Sequence, residues 1–134
     1  MIKAVVFDFY GVLNSTYMQP NPKMLKFAKA LREKGYKTAV LSNMIFPITW
    51  LNRNFVDFKG FDPVIISSEV GHSKPDPEIY KILLNRINIE PNELIFIDNK
   101  PSNLVPAAKL GINVIHARHP DQVIKDTMAL LPKV

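Results

Sequence analysis

The chain has 134 residues, 47% of them hydrophobic and 22% charged, which suits one domain with a buried core and excludes a disordered protein. It contains no cysteine, so disulfides, thiolate metal sites and a cysteine nucleophile are excluded. The formal net charge is +5, but the basic residues are spread along the chain without a dense cluster. We therefore do not expect nucleic acid as a dedicated partner.

The sequence also carries no signal for a membrane. No apolar run approaches the roughly 20 residues that are needed to span a bilayer. The first residues lead straight into a strand without the pattern of a signal peptide. We expect a cytoplasmic protein that has no membrane partner.

The first predicted element is a short strand. Residues 5–7 are β-branched or aromatic, which is typical of a strand that is buried on both faces. Asp8 follows it directly, and an irregular segment is predicted for residues 9–19. The first helix is predicted to start at Pro22, after the N-cap Asn21, and to end at Gly35.

Strands and helices then alternate to the end of the chain. Four further strands are predicted, at residues 38–41, 63–66, 94–97 and 113–116. Helices are predicted to begin near Pro47, Pro77, Ser102 and Pro120, and the helical spacing places Trp50 in the core. This alternation predicts an α/β, three-layer, Rossmann-like fold. Its five-stranded parallel sheet carries helices on both faces, in a single domain over residues 1–134.

Polar residues follow three of the predicted strands. A lysine lies in the loop after the strand at residues 63–66, which is the third in chain order. Taken singly, each has an ordinary explanation as a turn former, a helix cap or a surface charge. The carboxyl ends of parallel strands meet at one edge of a sheet, so these residues are expected to converge. They are Asp8, Ser42, Asn43, Lys74, Asp98 and Asn99.

Such a group is suited to phosphoryl transfer. Asp8 is a candidate nucleophile that would form an aspartyl-phosphate. Asp8 and Asp98 together would hold Mg²⁺. The Ser42 hydroxyl would hold phosphoryl oxygens, and Lys74 would offset the negative charge of the carboxylates and of the transferring group.

These segments closely resemble the four motifs of the haloacid dehalogenase (HAD) superfamily, in family order. The matching segments are residues 5–13, 40–43, 74–77 and 95–99 with Asn103. The resemblance implies a HAD-like hydrolase core with Asp8 as nucleophile, Ser42 and Asn43 as substrate-binding residues and Lys74 orienting the phosphoryl group. It also implies Mg²⁺ held by Asp8, the backbone carbonyl of Tyr10 and the fourth-motif residues Asp98 and Asn99.

Two positions depart from the family pattern. Family phosphatases usually carry an acid–base aspartate where this chain has Tyr10, and a phenol with a pKa of about 10 is a poor substitute for a carboxyl group. The second acid of the fourth motif is replaced by Asn99, so Mg²⁺ is expected to bind weakly or through Asp98. The leading hypothesis is a Mg²⁺-dependent phosphatase of attenuated activity, with Tyr10 in the acid–base position.

Two alternatives stay open. The 2-haloacid dehalogenases also carry tyrosine two residues after the nucleophile, and in them the aspartate attacks carbon without a metal. The other alternative is a non-catalytic HAD-like binding or regulatory module.

Only 34 positions separate Asp8 from Ser42, which leaves no room for an inserted cap domain. A capless site suits a phosphorylated or otherwise anionic substrate, including a macromolecular one. Self-association would also cover such a site, with a neighbouring subunit in place of the cap domain.

Overall fold

The computed structural model describes residues 1–16 and 19–132, and it forms one parallel sheet with helices around it. The strands in chain order are β1 (Ala4–Phe7), β2 (Asn14–Thr16), β3 (Gln19–Pro20), β4 (Lys37–Ser42), β5 (Phe61–Ile66), β6 (Leu94–Asp98) and β7 (Asn113–His116). The helices are α1 (Pro22–Glu33), α2 (Ile48–Phe55), α3 (Ser67–Val70), α4 (Pro77–Ile87), α5 (Pro101–Lys109) and α6 (Pro120–Leu130), and one 3₁₀ turn spans Pro91–Glu93.

The five long strands are ordered β5-β4-β1-β6-β7, and every pairing between them is parallel. Strand β1 lies in the centre, with Phe7 paired to Val40 on one side and to Ile97 on the other. The residue after β1 therefore emerges between the carboxyl ends of β4 and β6. The predicted five-stranded parallel sheet is confirmed.

Side chains of the central strand alternate between two cores. Val5 and Phe7 belong to the core under α1 and α6, and Ala4 and Val6 belong to the core under α4 and α5. All four side chains are fully buried. This alternation produces the three layers that the pattern of elements predicted.

The helix-start signals in the sequence were reliable. Asn21 accepts a hydrogen bond from the backbone N–H of Met24 at 3.2 Å, and Asp76 accepts one from Glu78 at 3.0 Å. A proline follows each of these caps at the first helical position. There the missing N–H costs nothing, because the first turn of a helix has no intrahelical acceptor for it.

Three details differ from the prediction. The segment predicted to be irregular contains the antiparallel β2–β3 pair, while residues 17 and 18 of that segment lie outside the described residues. Strand β5 starts two residues earlier than predicted, and the short helix α3 follows it. Helix α3 begins with the polar residues Ser67 and Ser68. A prediction from apolar spacing does not detect a helix that begins in this way.

The prediction that Trp50 lies in the core is wrong. Its side chain is 52% exposed and packs edge-to-face on the exposed Phe55, with ring centroids 6.0 Å apart. The buried residues of α2 are Thr49 and Asn52. Because this helix turns polar side chains inward, its apolar residues do not mark the buried face.

No cap domain interrupts the core in the described parts of the chain. Between Asp8 and Ser42 the described residues form the β2–β3 pair and α1, and between Ser42 and Lys74 they form α2, β5 and α3. Among the helices of the described residues, none is long and apolar enough to cross a membrane.

Candidate active site

Two carboxylates lie side by side where the central strands end. The backbone N–H of Asp8 donates to the carbonyl of Ile97 at 2.8 Å, which extends the β1–β6 pairing by one residue. Asp98 is the last residue of β6. Asp8 is 6% exposed and Asp98 is fully buried. Two buried negative charges at neighbouring strand ends need compensating hydrogen-bond donors or cations.

Lys74 supplies that compensation. Its ammonium donates to Asp8 Oδ1 at 2.7 Å, to Asp98 Oδ2 at 2.8 Å and to the carbonyl of Leu41 at 2.9 Å. These three contacts use all three N–H donors of the ammonium. The lysine is 4% exposed although it lies in the loop between α3 and α4, so the loop is folded inward to deliver the charge.

Asn43 fixes the position of that loop. Its Nδ2 donates to the Lys74 carbonyl at 2.9 Å, and its Oδ1 accepts from the Lys74 backbone N–H at 2.8 Å. Both ends of one side-chain amide therefore bind the backbone of one residue, across 31 positions of sequence. In the structure Asn43 positions Lys74, and its role in substrate binding stays a prediction.

Ser42 ends β4, directly beside β1. Its side chain is 1% exposed. Its Oγ has no hydrogen-bond partner among the described residues. A buried hydroxyl without a partner costs about 1–3 kcal/mol. A bound anion at the strand ends would supply the missing acceptor.

Asp98 is held by groups from the start of α5. Its Oδ2 accepts from Asn103 Nδ2 at 3.1 Å, in addition to Lys74. Its Oδ1 accepts from the backbone N–H of Lys100 at 2.9 Å. Lys100 therefore reaches Asp98 through its backbone. Asn103 thus contributes a side-chain donor to the position of Asp98.

The side-chain amide of Asn99 lies against both carboxylates. Its outer atom is 3.1 Å from Asp8 Oδ2 and 3.2 Å from Asp98 Oδ1. With nitrogen at that position, the amide donates a hydrogen bond to each carboxylate. Gly11 permits this approach, because it has a φ of +88° and a Cβ there would lie 2.6 Å from Asn99 Cγ.

The same geometry tests whether Mg²⁺ fits. With oxygen as its outer atom, the Asn99 amide completes a set of three oxygens with separations of 3.1 and 3.2 Å. Adjacent ligands of an octahedral Mg²⁺ lie about 3.0 Å apart, since each is about 2.1 Å from the ion. These two separations and the oxygen donors of two carboxylates and one neutral amide suit Mg²⁺. Within residues 1–16 and 19–132, no group of three His, Asp or Glu side chains has a geometry that would hold a metal.

Burial dominates the ionisation of the candidate nucleophile. It raises the pKa of Asp8 from 3.8 to about 6, and the negative charge of Asp98 acts in the same direction. The positive charge and hydrogen bond of Lys74 lower the pKa and limit the rise. Asp8 is therefore mostly ionised at pH 7, and it is more basic than an exposed aspartate.

Tyr10 is paired with a residue that the sequence did not point to. Its half-buried hydroxyl accepts a hydrogen bond of 2.7 Å from Nδ2 of Asn52 in α2. Asn52 is fully buried. The only sequence signal for this contact was the presence of an asparagine one helical turn after Ile48. Sequence alone does not show which face of a short helix is buried.

The structure thus joins the predicted residues through direct contacts. Lys74 and Asn99 each touch both Asp8 and Asp98, and Asn43 holds the backbone of Lys74. Ser42 lies at the same edge of the sheet. Two exposed apolar side chains, Ile45 and Phe46, follow Asn43 in the chain after the buried Met44, at 69% and 75% exposure. This edge of the sheet offers an anion the hydroxyl of Ser42 beside the charge of Lys74, and it offers apolar groups the side chains of Ile45 and Phe46.

Comparison with known proteins agrees with this arrangement. The chain is 36% identical to acyl-CoA dehydrogenase family member 10 of Mus musculus over 127 residues, which is 94% of the chain and 12% of that protein. It is 27% identical to the sesquiterpene phosphatase astK of Aspergillus oryzae over 100 residues, or 74% of the chain and 51% of that protein. The chain thus spans about half or less of these relatives' length.

A solved structure shows the same fold. It is a HAD family enzyme from Bacteroides thetaiotaomicron in complex with magnesium and inorganic phosphate, which superposes with a TM-score of 0.73 at 20% identity. The likeness covers 88% of this chain and 95% of that one. The family model for a haloacid dehalogenase-like hydrolase matches residues 14–111. The chain therefore belongs to the haloacid dehalogenase-like hydrolase family.

Proposed function

We propose that this domain is a phosphatase that forms an aspartyl-phosphate on Asp8 and uses Mg²⁺. The observation that carries the proposal is the buried ion-paired group of Asp8, Lys74 and Asp98, beside the unpartnered hydroxyl of Ser42. The group places a nucleophile, a fixed positive charge and a free hydrogen-bond donor at one edge of the sheet. A relative that is named a phosphatase also supports it.

In the first step an Asp8 oxygen attacks phosphorus, and the bond from phosphorus to the leaving oxygen breaks. Lys74 keeps Asp8 oriented and offsets the charge on the phosphoryl oxygens, and Ser42 donates to one of them. In the second step water attacks phosphorus, the Asp8–phosphoryl bond breaks and phosphate is released. A raised pKa suits Asp8 for this work, because a more basic carboxylate is the stronger nucleophile.

Asp8, Asp98, the Asn99 amide oxygen and the backbone carbonyl of Tyr10 would hold Mg²⁺. When bound, the ion neutralises charge on the transferring phosphoryl group. The affinity is expected to be low, because Asn99 contributes no charge where a carboxylate would contribute one. The Asn99 amide also has an orientation in which it bonds to both carboxylates itself, and that orientation competes with the ion.

The proposed substrates are phosphorylated molecules with apolar character near the phosphate. Ile45 and Phe46 form an exposed apolar rim a few residues after Ser42 and Asn43, the proposed phosphoryl-binding residues. No inserted domain in the described residues covers this rim. A large phosphorylated partner, or a second copy of the domain, would have access to it.

The decisive assay measures hydrolysis of p-nitrophenyl phosphate with and without Mg²⁺. Asp8→Asn should abolish turnover while leaving the circular dichroism spectrum unchanged. Asp62→Asn is the matched control, because Asp62 is exposed and lies near the start of β5, at the opposite end of the sheet. Equal activity in Asp8→Asn and wild type would contradict the proposal.

A 2-haloacid dehalogenase is the second candidate, and Tyr10 is the observation that favours it. Turnover in ¹⁸O-labelled water separates the two reactions. In a phosphatase the label enters the released phosphate, because water attacks phosphorus. In a dehalogenase, Asp8 first displaces halide from carbon to form an ester. Water then attacks the carbonyl carbon of that ester, so the label enters the Asp8 carboxylate as the hydroxy acid leaves.

A further inference from the structure

Helix α2 and the turn before it present apolar side chains to solvent. Ile45, Phe46, Trp50 and Phe55 are each more than half exposed, and these four residues are called the α2 patch. They supply half of the large apolar side chains that residues 1–16 and 19–132 expose. Single apolar residues scattered over a surface are ordinary, but a concentration of them is characteristic of an interaction site.

The patch has a firm support, because α2 is anchored through its polar face. Nδ2 of the buried Asn52 donates to the Tyr10 hydroxyl at 2.7 Å. The hydroxyl of Thr49 shares a hydrogen bond with that of Ser68. The backbone N–H of Thr49 also donates to the carbonyl of Ile45 at 2.9 Å, which ties the preceding turn to the helix. These contacts hold the apolar residues on the outer side of the domain.

The size of the α2 patch matches the apolar part of a protein interface. An aromatic side chain has about 150–250 Å² to bury. Three aromatic side chains and one isoleucine that are each more than half exposed therefore still have about 500 Å² to bury. A standard interface covers about 800 Å² on each partner, of which about 450 Å² is apolar. The patch thus offers the apolar area that one side of a stable dimer needs.

The charges around the patch favour a second copy of the chain over an anionic partner. Residues 43–58 contain one basic and one acidic residue, Arg53 and Asp57, so their net charge is zero although the whole chain carries +5. The guanidinium of Arg53 is paired with Glu69 at 2.7 Å. Two copies can therefore meet at this patch without the repulsion that their net positive charges cause elsewhere. A nucleic acid or an anionic membrane would need an excess of basic residues here.

We propose that the α2 patch is the interface of a homodimer, in which the patches of two copies pack on each other about a two-fold axis. Such a contact is self-complementary, because each copy presents the same apolar surface to the other. Trp50 is the expected hot spot, since tryptophan is among the residues most enriched at the energetic centre of interfaces. Ile45 and Phe46 follow the strand end that carries Ser42, so the second copy borders the candidate active site. The proposal does not depend on the phosphatase function.

Sedimentation of the purified chain tests the proposal. Wild type should form dimers between about 1 μM and about 1 mM, the range of ordinary self-association. Trp50→Lys and Phe55→Lys should each raise the dimer dissociation constant by at least about 30-fold, the effect of removing an interface hot spot. Both side chains are exposed in the single domain, so neither change removes a core contact. Circular dichroism of each variant verifies the fold.

Val105→Lys is the matched control. Val105 and Trp50 are equally exposed, at 52%, but Val105 belongs to α5, which covers the other core. The control adds the same charge to the chain and should dimerise like wild type. The only tryptophan of the chain gives a second readout. Its emission should shift to shorter wavelength as wild type dimerises, and Phe55→Lys should show no such shift.

Cross-linking locates the contact, because the chain has no cysteine of its own. Asn54→Cys places one thiol on the exposed side of α2, and a bifunctional maleimide should join two such chains. Val105→Cys should stay uncoupled under the same conditions. A monomer at every concentration, or a dimer that Trp50→Lys leaves unchanged, would overturn the proposal. So would a monomer that binds phosphatidylserine vesicles through Trp50, since that outcome assigns the patch to a membrane.

Discussion

Replacing Asp8 by asparagine should change how the stability of the domain depends on pH. In the folded protein burial raises the pKa of Asp8 from 3.8 to about 6. The native state therefore binds the Asp8 proton more tightly than the unfolded chain does. Between these two pKa values a rise in pH removes stability, because the unfolded state is ionised while the native carboxyl still resists ionisation. Above about pH 7 the loss is complete and stays constant.

The size of the effect follows from the pKa difference. Between pH 4.5 and pH 7.5, wild type should lose about 2 kcal/mol of unfolding free energy relative to Asp8→Asn. Asp8 is 6% exposed, so solvent screening does not reduce this figure much. Wild type and Asp8→Asn share all other titrating groups. The contributions of those groups therefore largely cancel in the difference between the two unfolding free energies.

Urea denaturation at a series of pH values in chelated buffer measures this difference directly. As the pH falls from 7.5 to 4.5, the stability of wild type should rise by this amount relative to that of Asp8→Asn, whatever the offset between the two curves. Asp62→Asn, at an exposed position, is the control for the loss of one carboxylate. A difference between wild type and Asp8→Asn that is flat across the range, or that has the opposite sign, would refute the argument from burial.

Three further predictions concern the partners of Asp8. Lys74→Met should lower the free energy of unfolding by at least about 3 kcal/mol at pH 7, since it leaves the buried carboxylates of Asp8 and Asp98 without their cation; a loss below about 1 kcal/mol in urea denaturation would contradict this. Ser42→Ala should leave stability unchanged or raise it by up to about 1 kcal/mol, because it removes an unpartnered buried hydroxyl, yet it should weaken competitive inhibition by phosphate; unchanged inhibition would remove Ser42 from phosphoryl binding. Asn99→Asp should tighten Mg²⁺ binding by at least about tenfold in calorimetric titration, because it adds a charge to the ligand set; unchanged affinity would place the ion elsewhere.

The position of the site follows from sequence because it depends on topology. Asp8 comes at the end of a buried apolar strand. Ser42 and Asp98 come at the ends of two further strands of the same kind. Parallel pairing brings all three strand ends to one edge whatever the details of packing. The observed order, with β1 between β4 and β6, produced this convergence. The same reasoning placed Lys74 nearby, although it could not show that the ammonium contacts both carboxylates.

The contacts that sequence missed depend on how individual side chains are turned. The motif predicted Asn43 as a site residue. It did not predict the two hydrogen bonds by which Asn43 connects its own loop to the Lys74 backbone in another loop. The inward face of α2 carries Asn52, while Trp50 faces solvent. Helical periodicity assumes that apolar residues mark the buried face, and this short helix reverses that rule beside the site. Both cases are settled by tertiary packing, which local pattern does not encode.

Detection of the covalent intermediate tests the central claim most directly. Wild-type protein is mixed with an aryl phosphate and Mg²⁺, quenched in acid within one turnover, and digested for mass spectrometry. The account predicts a phosphoryl group on the peptide that contains Asp8, labile to hydroxylamine and missing from Asp8→Asn. Turnover that proceeds with no phosphoryl group on that peptide, or with the group on another residue, would contradict Asp8 as the nucleophile.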